Sequence, residues 1–181
     1  AGGCAVGSFV FTRINRHDAD RQALLAELRI TYEDGTQEVI GTDSSWEVTE
    51  VGPYRMADIY DGETYDASID EEKIIWRQAL PERLKFVPDL RADYSSPVRS
   101  HEEMKPVSCD KRSDGTLIYD FGQNFAGVIK LKIRGRKGQV IKVRHAEILN
   151  KDGSLNVEFL RTAKATVTYT CRDGQQEYSP R

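Results

Sequence analysis

The chain has 181 residues, of which 39% are hydrophobic and 30% charged, and its formal net charge is −3. This length and balance predict one or two folded domains, each with a buried core. The charges are interspersed, so the basic patch that nucleic-acid binding requires is absent, and no apolar run approaches the roughly 18 residues that span a bilayer. We therefore expect neither nucleic acid nor a membrane as a partner.

The glycine-rich start, AGGCAVG, lacks an initiating Met, and the chain stops at Pro180-Arg181 where a strand pattern begins. We expect a fragment of a longer protein. The cysteines Cys4, Cys109 and Cys171 are odd in number and far apart, without the CxxC or Cys/His pairing of a zinc site. They predict reduced thiols, buried or half-buried, and a cytoplasmic location.

A β-hairpin is predicted near the start. Leu24 to Tyr32 leads into the turn Glu33-Asp34-Gly35-Thr36, and Gln37 to Gly41 returns. An Asp-Gly pair between β-rich runs is typical of a hairpin because Gly accepts the positive φ of a tight turn. The run ALLAEL alone would also suit a helix, but the β-branched and aromatic RITY that follows favours a strand.

The segment DIYDGETYDA carries four acids, at Asp58, Asp61, Glu63 and Asp66. Their spacing is not that of an EF-hand calcium loop. An inverting glycosidase needs two carboxyl groups about 6.5–9.5 Å apart, which a sequence does not display. We favour turn and edge-strand acids that cap backbone N–H groups around Gly62; a calcium or structural contact and catalysis are the alternatives.

Aromatic residues are frequent in the first half, at Trp46, Tyr54, Tyr60, Tyr65 and Trp76. Sugar rings stack on aromatic side chains while polar neighbours bind their hydroxyl groups. The candidate carbohydrate-binding residues are therefore Trp46, Tyr60, Asp61 and Glu63. For Trp46 we favour the alternative of a core anchor beside a strand turn.

The middle of the chain predicts a boundary. Residues 69–87 suit a short helix or an irregular connection, which Pro81 would end or kink. A polar stretch with Pro88, Ser95-Ser96 and Pro97 follows, and such stretches commonly join domains. We predict two modules, residues 1–95 and 96–181.

The second half continues with strands. Ala126 to Arg134 alternates apolar and charged residues, the segment 135–138 (GRKG) turns, and Val140 to Leu149 returns. A shift in apolar parity predicts a bulge near His145, which otherwise shares the face of Ile141 and Val143 and is expected to be a satisfied core or edge histidine.

Two further turns, at residues 151–154 and 172–174, frame a strand from Lys164 to Cys171. Short strands, Asp-Gly turns and no helical pattern predict an all-β fold of antiparallel β-sandwich modules.

The motif YDFGQNFAG supplies a second polar cluster at Asp120, Gln123 and Asn124. Its glycines, Gly122 and Gly127, predict a tight or bulged backbone. The amides either bind a ligand or a neighbouring domain, or satisfy the backbone of a buried loop.

Several of these segments resemble one enzyme family. They are DIYDGETYDA, the run from Ile118 to Ala165, ALLAELRITYEDGTQEVIGTDSSWEV, PVRSHEEMKPVS and EYSPR. Together they cover nearly the whole chain and resemble the N-terminal, non-catalytic part of bacterial α-L-rhamnosidases of glycoside hydrolase family 78.

The resemblance implies jelly-roll or concanavalin-like β-sandwich modules that precede an (α/α)6 barrel, which carries the catalytic acids and is missing here. It therefore implies no catalytic residue in this fragment, an interface with the barrel in cis at Asp120, Gln123 and Asn124, and hydrolysis of terminal α-L-rhamnose from glycosides, with inversion, by the whole enzyme.

In some relatives the first module binds L-rhamnose with the help of calcium, and we expect no other cofactor. The match is incomplete there, because Cys4 stands where the family often has Trp. A stand-alone carbohydrate-binding module and a structural sandwich without a ligand are the alternative functions.

Overall fold

The computed structural model describes residues 23–81, 92 and 94–181, preceded by two short strands. Cys4, His17 and residues 82–91 lie outside the described residues. The strands are β1 (Ser8–Phe9), β2 (Ile14–Asn15), β3 (Glu27–Thr31), β4 (Gln37–Gly41), β5 (Glu47–Val48), β6 (Tyr54–Asp58), β7 (Gly62–Asp66), β8 (Arg77–Gln78), β9 (Ser108–Lys111), β10 (Leu117–Asp120), β11 (Leu131–Gly135), β12 (Val140–Arg144), β13 (Thr166–Thr170) and β14 (Gly174–Tyr178).

The predicted all-β fold is confirmed. The described residues form no α-helix, only two short 3-10 helices at Glu71–Lys73 and Glu158–Leu160. Asp70 caps the first of these by accepting a hydrogen bond from the backbone N–H of Glu72. In the part of the chain that the structure describes, no helix is long and apolar enough to cross a membrane.

The predicted first hairpin is confirmed, with β3 and β4 in antiparallel register from Glu27↔Gly41 to Thr31↔Gln37. Gly35 takes a φ of +83°, and the Asp34 carboxylate accepts hydrogen bonds from both the backbone N–H and the hydroxyl of Thr36. The β9–β10 hairpin is built in the same way around Asp114, Gly115 and Thr116. The local chemistry of the Asp-Gly turn therefore determines these two reversals.

A four-stranded sheet in the order β12-β13-β7-β6 joins the two halves of the sequence. The β6–β7 hairpin is antiparallel, whereas β7 lies parallel to β13 in register from Gly62↔Thr166 to Asp66↔Thr170. This sheet crosses the division that we predicted near residue 95. The two-module division itself stays a prediction.

The segment 135–138 turns the chain as predicted, but it does not close a hairpin. β11 pairs with β14, and β12 pairs with β13, so the connection passes from one sheet to another as a β-arch. The turn between β13 and β14 is also a β-arch, because these two strands belong to different sheets. The two arches are tied together because Gly138 N–H donates to the carbonyl of Cys171 (2.9 Å), and Cys171 N–H donates to that of Gln139 (2.8 Å).

The predicted bulge near His145 is wrong. β12 keeps a regular register to its last residue, Arg144, opposite Thr166, and the parity shift marks the end of the strand. The irregularity lies instead in β6, between Tyr54 and Met56.

Among the described residues, the buried core lies where the four-stranded sheet meets the β11–β14 pair. Its members are Val167, Tyr169, Cys171 and Tyr178. Side chains on alternate positions of β7, β11 and β12 pack against them from both layers, including Tyr65, Ile133 and Ile141. Alternation along β13, which buries Val167 and Tyr169, explains why this strand anchors the core.

Candidate functional site

A buried carboxylate lies at the centre of the two-layer region. Glu63, on β7, is 4% exposed, and its side chain accepts hydrogen bonds from the Tyr178 hydroxyl and from the backbone N–H of Arg181 (3.3 Å). Glu63 and Tyr65 lie on the same face of β7, since strand positions alternate, and they pair with Val167 and Tyr169 of β13. The hydrogen bond to Tyr178 offsets the cost of burying the carboxylate.

Tyr178 belongs to a group of four tyrosines whose rings pack together, and we call Tyr54, Tyr65, Tyr169 and Tyr178 the tyrosine cluster. Tyr65 stacks on Tyr169 with centroids 5.8 Å apart and meets the edge of Tyr54 at 4.8 Å. Tyr178 lies 4.6 Å from Tyr169 and 5.1 Å from Tyr65. The Arg181 guanidinium lies 4.6 Å from the centroid of the Tyr54 ring, within the range of a cation–π contact.

The pKa values of Tyr65, Tyr169 and Tyr178 are raised, which keeps their hydroxyls protonated. Burial raises the pKa of Tyr178, and its hydrogen bond to Glu63 raises that pKa further, because ionising the phenol would place two negative charges together. Burial also raises the pKa of Tyr65 and of Tyr169. The Tyr169 and Tyr178 hydroxyls already donate to Gln176 and Glu63, so these two residues offer a ligand apolar ring surface rather than free donors.

A cleft of about 280 Å³ runs along this cluster. Its lining includes Tyr65, Tyr169 and Tyr178, and its charged lining residues are Asp66, Glu71, Arg172 and Glu177. Rings beside groups of both charge signs can contact the C–H faces and the hydroxyl groups of a polar ligand.

Trp46, the first candidate for carbohydrate binding, lies in a separate ribbon formed by β5 and β8. The expectation of a core anchor is wrong, because Trp46 is 39% exposed and neither strand of this ribbon carries a buried residue. Its indole N–H donates to the carbonyl of Gly41 at 3.0 Å, which orients the ring.

Tyr60 and Asp61, the next two candidates, lie together in the β6–β7 turn. The Tyr60 carbonyl accepts hydrogen bonds from the backbone N–H groups of Lys164 (3.1 Å) and Ala165 (3.0 Å). The Asp61 carboxylate forms a 2.7 Å ion pair with Lys164. Glu63, the fourth candidate, points instead into the core, so the four candidates do not share one surface.

The prediction that acids cap the turn around Gly62 is confirmed for Asp58, whereas Asp66 caps the turn that follows β7. Asp58 accepts hydrogen bonds from the backbone N–H groups of Tyr60 (2.8 Å) and Asp61 (2.9 Å), and Asp66 accepts one from Ser68 (2.9 Å). Within the described ranges, no three side chains of Asp, Glu, His or Cys converge as a metal site requires. Calcium binding by the first module stays a prediction.

The predicted barrel-interface residues are exposed: Asp120 is the last residue of β10, and Gln123 and Asn124 follow it. Asp120 accepts a hydrogen bond from the N–H of Gly122 (2.7 Å), which has a φ of +74°. The Gln123 amide lies 3.5 Å from the sulfur of Met104 in a shallow depression. These groups are therefore at the surface rather than in a buried loop, and their role as an interface stays a prediction.

Residues 145–165, which connect β12 to β13, hold unusual local geometry. His145 is half-buried, and its Nδ1 lies 2.9 Å from the Ala165 carbonyl. Its Nε2 is buried and has no hydrogen-bond partner among the described residues. Ala165 and Arg161 take positive φ values of 41° and 54°, although neither is a glycine. Such conformations cost about 1–3 kcal/mol each and tend to occur at functional sites.

The cleft along the tyrosine cluster contains three residues that the sequence analysis did not name as candidates: Tyr169, Arg172 and Tyr178. The signal was present in part, because TVTYTC and QQEY place aromatic residues on one face of successive strands. The sequence pattern does not show that β13 pairs with β7 and β14 pairs with β11, and these pairings bring the rings together.

This architecture of small, mostly antiparallel sheets with a two-layer core is that of a concanavalin-like β-sandwich protein. Residues 3–111 match the family described as the alpha-L-rhamnosidase N-terminal domain, and residues 110–181 match the bacterial alpha-L-rhamnosidase concanavalin-like domain. The chain belongs to the α-L-rhamnosidase family, as the resemblance of its motifs predicted.

Relatives match nearly the full chain. An α-L-rhamnosidase of Streptomyces avermitilis is 36% identical over 90% of this chain, and one of Alteromonas sp. is 34% identical over 86%. These matches cover 16% and 18% of the relatives, so the chain spans about a sixth of their length.

Solved structures agree. The crystal structure of the S. avermitilis α-L-rhamnosidase complexed with L-rhamnose superposes with a TM-score of 0.83 at 34% identity, over 100% of this chain and 18% of that one. The α-L-rhamnosidase of Aspergillus terreus superposes with a TM-score of 0.73 at 27% identity, over 97% of this chain and 21% of that one.

Proposed function

We propose that this chain is the accessory, non-catalytic N-terminal part of an α-L-rhamnosidase. The whole enzyme would remove terminal α-L-rhamnose from plant or microbial glycosides with inversion. The observation that carries the proposal is the superposition of the entire chain on 18% of a solved α-L-rhamnosidase. The activity would then belong to the larger remainder of the enzyme, in which a barrel supplies the catalytic acids.

The state of the acids in DIYDGETYDA supports a non-catalytic role. Asp58 and Asp66 accept hydrogen bonds from backbone N–H groups, and Asp61 forms an ion pair with Lys164. Glu63 accepts a hydrogen bond from the Tyr178 hydroxyl. A general acid and base must instead present their carboxyl groups to a substrate pocket. Each of these acids therefore serves the fold, and the fragment would scaffold or shape the substrate site.

Carbohydrate binding by the chain itself is the second candidate function. It is favoured by the cleft lined by tyrosines and by charged residues of both signs, and by the exposure of Trp46 and Trp76. Titration calorimetry of L-rhamnose into the chain, with calcium and then with chelator, tests it. Saturable heat that the chelator abolishes supports a metal-assisted sugar site; no heat at millimolar sugar leaves the chain as a scaffold.

Activity assays test the enzyme assignment. The protein from the complete reading frame should hydrolyse p-nitrophenyl α-L-rhamnopyranoside, and proton NMR should detect the β-anomer of rhamnose first, as inversion requires. The 181-residue chain at the same concentration should release no p-nitrophenol. Turnover by the chain alone, or first release of the α-anomer by the intact enzyme, would contradict the proposal.

A further inference from the structure

Two loops meet at one end of the four-stranded sheet. They are the β6–β7 turn at residues 59–61 and the β12–β13 connection at residues 145–165, and we call their joint exposed face the sheet-end surface. The Tyr60 carbonyl accepts two backbone hydrogen bonds from the connection, the Asp61 carbonyl accepts one from Thr166 (3.1 Å), and the Asp61–Lys164 ion pair closes the junction.

The connection is held in place by its own contacts. Leu149 and Leu155 form an antiparallel bridge, Asn156 N–H donates to the carbonyl of Ile148 (3.0 Å), and Arg112 donates a hydrogen bond to the carbonyl of Asp152. A long segment without regular strands that is ordered in this way is commonly functional.

This ordered surface exposes large apolar side chains. Ile59 is 72% exposed and Phe159 is 66% exposed, while Ile148 and Leu149 are about half exposed. Arg161 and Ala165, in the part of the connection that leads into β13, both take positive φ values, which are strained for residues other than glycine. Apolar groups presented on a fixed frame, beside charged residues, are typical of an interface with another protein surface.

From this arrangement we infer that the sheet-end surface is the docking site for the catalytic domain of the same enzyme. The inference rests on the proposed function, and it specifies which part of the chain contacts the barrel. The proposed occupant is part of the same polypeptide. This chain covers only 16–18% of its relatives, so a catalytic domain of the intact enzyme would lie in the remainder. The two motifs that most clearly carry the family resemblance, DIYDGETYDA and the run through residue 165, supply both loops of the surface.

This site differs from the interface expected at Asp120, Gln123 and Asn124. That cluster is polar, and its aspartate already binds its own turn through Gly122. The sheet-end loops carry four exposed large apolar side chains, and burial of apolar area drives association between domains.

Hydroxyl-radical footprinting of the intact enzyme tests the inference with a matched pair of residues. Ile59 and Ile75 are the same residue type, and in this chain they are 72% and 76% exposed. If the catalytic domain covers the sheet-end surface, Ile59 should be oxidised several-fold more slowly than Ile75, and Phe159 should be protected as well. Equal oxidation of Ile59 and Ile75 would overturn the inference.

Two further measurements identify the occupant. A photo-reactive phenylalanine analogue in place of Phe159 should cross-link to peptides of the catalytic domain, whereas the same analogue in place of Ile75 should not. Protection of Ile59 that disappears on dilution would indicate a second copy of the enzyme and would overturn the inference. Rhamnoside hydrolysis, measured on the same sample, tests the proposed function separately, so the two failures are distinguishable.

A lysine introduced into the sheet-end surface should change the melting temperature of the intact enzyme. Ile59→Lys should lower its melting temperature by several degrees and Ile75→Lys should not, because only the first substitution would place a charge in an apolar interface. Equal melting temperatures for the two variants would overturn the inference.

Discussion

The β3–β4 hairpin and the four-stranded sheet contain strands of similar length and turns of similar sequence, yet only the sheet has a core. No residue of β3 or β4 is buried, and Leu28 and Ile40, which lie opposite each other, are both exposed. β13, by contrast, buries every second residue. The difference is a second layer: β11 and β14 pack over β13, and the structure describes no comparable cover over the hairpin.

This contrast shows that apolar alternation predicts a strand without determining its burial. A two-stranded hairpin is marginally stable in water unless another layer covers its apolar face. The region that has this cover, with the tyrosine cluster and Glu63, should therefore dominate the stability of the chain. Substitutions in this core region should cost more stability than matched substitutions at exposed positions.

The largest effect is expected for Gly62→Ala. Gly62 has a φ of +101°, and an added Cβ would lie 2.1 Å from the backbone oxygen of Thr166, so β7 and β13 would have to separate. We expect a loss of about 3 kcal/mol or more in the free energy of unfolding, measured by urea denaturation.

Gly35→Ala is the matched control. Gly35 also has a positive φ in an Asp-Gly turn, but its Cβ would meet nothing within 4 Å. Only the left-handed conformation is then penalised, which costs about 1–2 kcal/mol. Equal losses for the two variants would show that the contact between β7 and β13 contributes little.

A smaller effect is expected when one hydroxyl group is removed from the core. Tyr178→Phe leaves the buried Glu63 carboxylate without its side-chain donor and should cost about 1–3 kcal/mol of unfolding free energy. Tyr32→Phe removes a chemically identical Tyr–Glu hydrogen bond, to Glu38, at the surface, and should leave stability nearly unchanged. A large loss for Tyr32→Phe would contradict the assignment of stability to the core.

Alkaline pH should destabilise the chain through the same cluster. The pKa values of Tyr65, Tyr169 and Tyr178 are raised above the ordinary value of 10, so the folded state retains protons that the unfolded state releases. Their contribution is fully present below pH 10, and the free energy of unfolding should fall as the pH rises beyond it.

Unfolding curves of Tyr178→Phe between about pH 8 and 11 test this dependence against Tyr94→Phe, which alters an exposed ring. The decline should be shallower in Tyr178→Phe, since one of the groups that causes it is gone, and unchanged in Tyr94→Phe. An identical decline in both variants would argue against the cluster as its source.

The smallest effect is expected for the ion pair at the sheet end. Lys164→Gln removes the contact with Asp61, whose side chain is largely buried, and should cost at most about 1 kcal/mol because Lys164 itself is exposed. Lys73→Gln removes the fully exposed pair with Asp70 and should have no measurable effect. Thermal denaturation at low and high salt checks this, because the stability lost in Lys164→Gln should shrink as salt screens the ion pair in the parent chain. A loss of the same size at both salt concentrations would contradict the electrostatic explanation.

The sequence alone determined the local features of this protein. The Asp-Gly turns at Gly35 and Gly115 follow from the conformational freedom of glycine and from an aspartate two residues before a threonine, and both operate within a few residues. Apolar alternation, β-rich composition and turn residues indicated the strands β3, β4, β11, β12 and β13, and the family resemblance followed from contiguous motifs. The turn role of Asp58 was predictable for the same reason.

Only the tertiary structure decided how the strands pair and which acid is buried. The turn at residues 135–138 reads as a hairpin, but long-range pairing makes it an arch, because the choice between hairpin and arch depends on partners far away in the sequence. Glu63 and Asp61 look alike in DIYDGETYDA, and they are distinguished by Tyr178, which lies 115 residues after Glu63. Local chemistry determines where a strand starts and turns, whereas burial is a property of two layers, and this chain assembles its two layers from segments that are distant in the sequence.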